Sequence, residues 1–281
     1  MNGPSGIGSL RSNAGTPAAS FGSITCASEV PLIPSRIRKV LFTMATHRVR
    51  ALLMGGQACV FYGAAEFSRD TDLLILADAE NLQRLDAALR ELRAGCIAVP
   101  PFAPEFLERG HAIHFRCHHP DADQMRVDVM SKLRGVDSFP ALWERRTSIT
   151  DADDTTYELL SLPDLVQAKK TQRSKDWPML QRLLEAHYLQ HRAAPSPAQQ
   201  RFWLLELRTP EMLIEAAQSC VELARGLSND RPLLRLAESG ILRELSEALS
   251  AEEKAERERD RLYWQPLKAE LEQLRHAARR S

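Results

Sequence analysis

The stretch that decides the fold runs from Leu52 to Leu76 and reads LLMGGQACVFYGAAEFSRDTDLLIL. A hydrophobic run ends at Gly55-Gly56. A segment with the composition of a short helix follows, Gln57 to Tyr62. Asp70 and Asp72 then open a second hydrophobic run. Along a strand, residues i and i+2 project to the same face, so Asp70 and Asp72 are expected to aim two carboxylates at one point. Paired hard oxygen ligands suit Mg²⁺, which commonly carries substrate phosphates. Glycine lets the backbone approach a ligand closely. The stretch therefore predicts two strands, from Ala51 to Met54 and from Thr71 to Ala77, joined across a phosphate- and Mg²⁺-binding site.

Outward from it, Ser35 is expected to cap a helix carrying Ile37, Val40, Leu41 and Met44 at helical spacing. Asp78 or Ala79 starts an amphipathic helix with Leu82, Leu85, Ala88, Leu89 and Leu92 on one stripe, and Gly95 is expected to end it. Further strands are expected at 97–99, 112–117, 125–130 and 155–160. In MRVDVM, Val127 and Val129 alternate with Arg126 and Asp128, which sets Asp128 on a polar face. From Pro163 onward the pattern is helical, in segments near 163–172, 175–191, 197–207, 210–226, 231–249 and 251–279. Pro266 is expected to break or kink the last of them.

These residues resemble the signature of the DNA polymerase β-type nucleotidyltransferase superfamily. Gly55-Gly56 matches its glycine pair, and Asp70-Thr71-Asp72 matches its Asp-x-Asp at the long end of the spacer range. Thr71 is polar where that signature usually has a hydrophobic residue. Asp128 falls where the family carries its third acid. A second resemblance lies in SLPDLVQAKKTQRSKDWPMLQRLLEAHY, from Ser161 to Tyr188. It is similar to a bacterial, uncharacterised subgroup related to the nucleotidyltransferase toxins of type IV toxin–antitoxin pairs. In those toxins a lysine and a later aspartate belong to the active site, and Lys169 and Asp176 match them. Lys170 is an alternative to Lys169. Asp176 is read equally as a helix start or as an ion-pair partner that aligns Lys169. The likeness spans about residues 36 to 190.

The resemblance implies an α+β fold: a small mixed β-sheet of nucleotidyltransferase type with flanking helices, plus an all-helical C-terminal region. It implies Mg²⁺-dependent transfer of an NMP from an NTP to an acceptor, which could be an RNA end, a protein hydroxyl or a small molecule. Asp70, Asp72 and Asp128 would be the catalytic and metal-binding residues, holding two Mg²⁺ ions or Mn²⁺ in their place. Gly55, Gly56, Gln57, Arg69, Lys169 and Asp176 would bind the nucleotide. A non-catalytic binding or interaction protein, and a toxin-type enzyme acting on RNA with a partner antitoxin, are the rival readings.

Composition narrows the classes. Lys plus Arg and Asp plus Glu both number 37, so no broad basic surface for nucleic acid is expected. No apolar run is long enough for a membrane span, and no charged segment followed by an apolar core marks a secretory signal. The five cysteines, Cys26, Cys59, Cys96, Cys117 and Cys220, are odd in number and lack a CxxC pair. That fits reduced thiols in a cytoplasmic protein. Residues 1–30, rich in Gly, Ser, Ala and Pro, are expected to be a disordered tail. A nucleotidyltransferase-like domain is expected over 35–192 and the helical region over 196–281, divided near Pro195-Ser196-Pro197. His111, His114, His118, His119 and Cys117 cluster in sequence. Their spacing matches no zinc signature, and His114 is the one expected near the nucleotide. Trp177, Trp203 and Trp264 are expected to pack helices.

Overall fold

The computed structural model describes residues 34–65, 67–151 and 154–280. The expected tail, 1–30, and Cys26 lie outside them. Ala51–Met54 forms β1, and the chain turns at once into α2, Gly55–Phe61, before returning antiparallel as β2, Asp70–Ile75. Two further strands build outward from β2: β5, Arg126–Met130, runs parallel to it, and β4, Ile113–Arg116, runs antiparallel to β5. The short β3, Gly95–Cys96, closes that edge. On the other side of β1 lie β7, Thr156–Leu159, and β6, Thr147–Thr150. The result is one seven-stranded mixed sheet in the order β3-β4-β5-β2-β1-β7-β6.

The register sorts the sheet into two faces. Thr71 stands opposite Val127 and Leu73 opposite Val129. Ile113 and Phe115 continue the row on β4, and all of these are buried. Helices α1 (Ser35–Thr46) and α3 (Ala79–Glu91) touch one another. They supply Ile37, Val40, Leu85 and Ala88, all fully buried, to the same core. Burying an aliphatic side chain of this size stabilises by roughly 1.5–3 kcal/mol. The opposite face carries Asp70, Asp72, Asp128 and His114 and is left for the site. Asp78 caps α3, its side chain accepting from the Asn81 N–H at 2.7 Å. Ser35 is not a cap: it is the first residue of α1, whose N-cap Pro34 offers no side-chain bond. Gly95 does not end α3, which stops at Glu91 with Leu92 as its C-cap.

Two short helices, α4 (Pro104–Arg109) and α5 (Phe139–Glu144), fill the connections between strands. After β7 the chain is helical: α6 (Leu162–Lys169), α7 (Asp176–His191), α8 (Pro197–Glu206), α9 (Pro210–Ser219), α10 (Val221–Leu227), α11 (Leu234–Ser239) and α12 (Leu242–Ala278). Ser196 and Gln199 form a reciprocal capping box at the start of α8. The two last expected segments are instead the short α11 and one 37-residue helix, which continues through Pro266. Proline frees the carbonyl four residues back. Pro266 and Leu262 are both exposed, so that carbonyl meets water rather than a dry interior. No described helix is long and apolar enough to cross a membrane.

Candidate active site

The aspartates meet through strand register. Asp72 is the direct partner of Asp128 across the parallel β2–β5 pair, and Asp70 lies two residues earlier on the same face. Neighbouring strands are about 4.8 Å apart, so the Asp72 and Asp128 carboxylates share one locality. Gly55 answers for the other half of the motif. Its φ is +68°, and a Cβ built on it would sit 1.8 Å from Asp72 Oδ2. A side chain at 55 would therefore both strain the backbone and displace the carboxylate. The Gly56 N–H bonds Asp72, which commits that amide to the aspartate rather than leaving it for phosphate. Glycine pair and Asp72 form one physical unit.

The electrostatics are lopsided. Burial first, then the Asp128 and Asp70 charges, push the Asp72 carboxyl up to about 6, against the pull of Lys169 and the Gly56 amide. Burial would raise Asp128 too. Its bonds to His114 and Arg126 outweigh that and hold it below the usual carboxylate range. Arg126 Nε donates to Asp128 Oδ1 at 2.7 Å, and His114 Nδ1 lies 2.9 Å from the same oxygen. Asp128 is therefore engaged by two side chains of the sheet itself.

Lys169 ends α6 and Asp176 begins α7. Their charged groups are 3.6 Å apart and both side chains are largely buried. Asp176 also accepts from Thr171 Oγ1 at 2.5 Å and Arg173 Nε at 2.8 Å. Lys170 faces another way, pairing with Glu206 at 2.7 Å. A cleft of about 340 Å³ joins these parts. Gly55, Asp72, His114, Arg126 and Asp128 line its floor, and Leu165, Lys169 and Gln172 line one wall. This is the size range of small-ligand sites. Asp128, Asp72, Gly55 and Lys169 are thus brought together. Asp70 shares their face but does not line the cleft. Nor do Gly56, Gln57 and Asp176. Gln57 is buried, and Arg69 is exposed with its guanidinium over the Phe67 ring.

The far wall comes from α12, through Asp260, Trp264 and Lys268. Asp260 is 2 % exposed. It accepts from Arg134 Nε at 3.0 Å, the Gln172 N–H at 2.7 Å and Trp264 Nε1 at 3.0 Å. Lys268 Nζ donates to Gln172 Oε1 at 2.7 Å. Sequence reasoning set Trp264 aside as a packing residue and did not single out Asp260, which sits in a run of alternating charges. The charge run resembles any solvated helix face, and no local signal marks the one buried carboxylate in it.

Chemically, the oxygen donors suit a hard dication. Two neighbouring carboxylates with one raised well above its ordinary value leave negative charge that a cation would neutralise. Among the described residues, however, no group of three or more His, Cys, Asp or Glu is spaced as a ready-made metal site. Arg126 stands in as the local cation on Asp128. The histidines do not converge: His111 pairs with Glu270 at 2.8 Å while His114 faces the cleft. The described cysteines are free thiols. No protein-family model matches the chain, and no curated protein matches it either.

Proposed function

We propose that this chain is a Mg²⁺-dependent nucleotidyltransferase of the DNA polymerase β type, moving an NMP from an NTP to an acceptor hydroxyl. The observation that carries the reading is the lock between Gly55 and Asp72, with Asp128 as register partner. The glycine pair holds the Asp72 carboxylate against the backbone at the cleft floor, beside Asp128. Two facing carboxylates on a cleft wall suit a divalent cation that carries a phosphate-bearing ligand. Asp70, Asp72 and Asp128 would hold Mg²⁺ or Mn²⁺. Bound there, the metal would lower the pKa of an attacking hydroxyl and neutralise phosphoryl oxygens. Lys169, pointed by Asp176, offers a point charge to the triphosphate. Asp128 Oδ1, once Arg126 swings off it, orients the acceptor hydroxyl. Trp264 and the apolar side chains Met130 and Leu133 in the cleft exclude water beside it.

A second reading, nucleotide binding without turnover, rests on the Arg126–Asp128 contact, which occupies the third carboxylate. One experiment separates the two. The protein is incubated with each of the four NTPs labelled on the α-phosphate, Mg²⁺ and cell extract. The expected result is label on an acceptor together with released pyrophosphate, both lost in Asp72→Asn. Binding of Mg·NTP with no transfer and no pyrophosphate from any of the four favours the second reading.

A further inference from the structure

Away from the cleft, a second cavity of about 340 Å³ opens between the first turn of α7, the start of α9 and the N-terminal half of α12. Arg208 reaches into it from the α8–α9 connection. Its side chain is only 9 % exposed. The guanidinium carbon lies 5.1 Å from the centre of the Trp177 ring, so one face is stacked on an aromatic. Nε and Nη1 are buried without a hydrogen-bond acceptor. Nη1 is 2.8 Å from Glu252 Oε2 but out of line with it. Glu252 is also bound by Arg231, at 2.9 Å. A buried cation this poorly satisfied is costly. Arg208 lines the cavity, which leaves Nη2 as the atom able to meet a ligand there.

The rest of the lining fits an anion with an organic part. Arg257 stands on α12, its Nη2 donating to Ser174 Oγ at 3.0 Å and its Nη1 3.4 Å from Glu253. Ser246 and Ser250 add hydroxyls, while Trp177 and Leu249 add apolar surface. Two arginines face one glutamate among the charged lining residues, so the cavity is net positive. We propose that this cavity is a second binding site, for a small phosphate-bearing molecule seated on Arg208 and Arg257. A phosphate there would add hydrogen-bond acceptors to a guanidinium that Glu252 meets only out of line. The site is linked to the cleft: Ser174 belongs to the loop whose Thr171, Gln172 and Arg173 line the cleft, and Arg257 is about one turn of α12 from Asp260.

The test is calorimetric titration of the whole chain with inorganic phosphate and with phenyl phosphate, in EDTA so that the cleft holds no metal. Saturable one-to-one binding is expected. Arg257→Gln, on the accessible surface of α12, should weaken it about tenfold, the worth of one charge-assisted contact, and Ser250→Trp, which fills the cavity with an indole, should weaken it at least as much. Lys169→Ala should leave it unchanged. Tighter binding of phenyl phosphate would assign the ligand as an organic phosphate, and equal binding as the free ion. The proposal is overturned if neither compound binds, if binding ignores both α12 substitutions, or if it disappears in Lys169→Ala, which would move it to the cleft.

Discussion

Replacing Asp72 by Asn should stabilise this protein, provided metal is absent and the pH is above about 6. The Asp72 carboxyl is raised from 3.8 to about 6 in the folded chain. A raised carboxyl binds its proton more tightly folded than unfolded, so stability falls as pH climbs from about 4 through about 6. Roughly two pKa units at about 1.4 kcal/mol each put the loss near 3 kcal/mol. Coupling to Asp128 and Asp70 makes that an upper limit, and about 1–3 kcal/mol is expected. Asn keeps the shape and can still accept from the Gly56 N–H, but carries no charge to repel Asp128. For a chain of this size each kcal/mol moves Tm by about 2–4 °C. Thermal melts in EDTA should therefore show Asp72→Asn above wild type at pH 8 and level with it at pH 4. Adding Mg²⁺ should raise wild type alone and close the gap, since a ligand of the folded state stabilises it by mass action. A variant that melts at or below wild type at pH 8 in EDTA, or a gap that ignores pH, would refute the account of Asp72 as an uncompensated carboxylate.

Gly55→Ala should destabilise by about 2 kcal/mol or more, from left-handed strain plus the clash at Asp72, and should remove the Mg²⁺ effect on Tm. Gly56→Ala should do less, because its Cβ meets only the rotatable Ser68 hydroxyl at 2.8 Å. Lys169→Ala should weaken NTP binding by roughly tenfold to a hundredfold, read by titration. Lys170→Ala should instead cost stability by leaving Glu206 buried without its pair. If both substitutions act only on binding, the second motif has been read in the wrong register. Asp260→Asn should cost about 1–3 kcal/mol in denaturant unfolding, because a buried acceptor of bonds from Arg134, the Gln172 N–H and Trp264 loses its charge, while Arg134 keeps Glu256. It should also expose the 170–175 loop to limited proteolysis.

How much of this was legible in sequence follows from the range of the interactions. The hydrophobic run marked β2 and alternation marked β5, because strand phase is a local property; that Asp128 stands beside Asp70 and Asp72 depends on β5 pairing with β2, which only the family resemblance suggested. The amphipathic stripe gave α3 and its Asp78 cap because helical phase is local too. β6, TSIT, has little hydrophobic signal of its own: it is a four-residue edge strand whose Ser148 and Thr150 face solvent. The engagement of Asp128 by Arg126 and His114 depends on β4 lying beside β5, a tertiary fact. The role of α12 was the least readable part. Asp260 bonds Arg134 across 126 positions and Gln172 across 88, distances over which periodicity carries no information. Lys169 and Lys170 were separable only once Glu206 on α8 was seen to claim the second.

The charges around the cleft arrange themselves by sign, and this bears on how the two functional readings relate. Negative groups gather on the sheet: Asp70, Asp72 and Asp128. Positive groups are tied to acids, Arg126 to Asp128, Lys169 to Asp176, and Arg134 to both Asp260 and Glu256. Asp72 is buried beside the Asp128 and Asp70 charges, with only Lys169 and a backbone amide pulling the other way, so its carboxyl is raised. A cation entering the cleft gains most by meeting Asp72. Once there, it competes with Arg126 for Asp128 Oδ1. Arg126 is open to solvent on its side of the contact while Asp128 is largely buried, so the single bond can be exchanged at the cleft surface, and a dication between two carboxylates neutralises both. The same contact that suggests a blocked third carboxylate can therefore serve as a resting counter-ion. The two readings then differ in one measurable step, the release of Asp128 by Arg126 when metal and nucleotide arrive together.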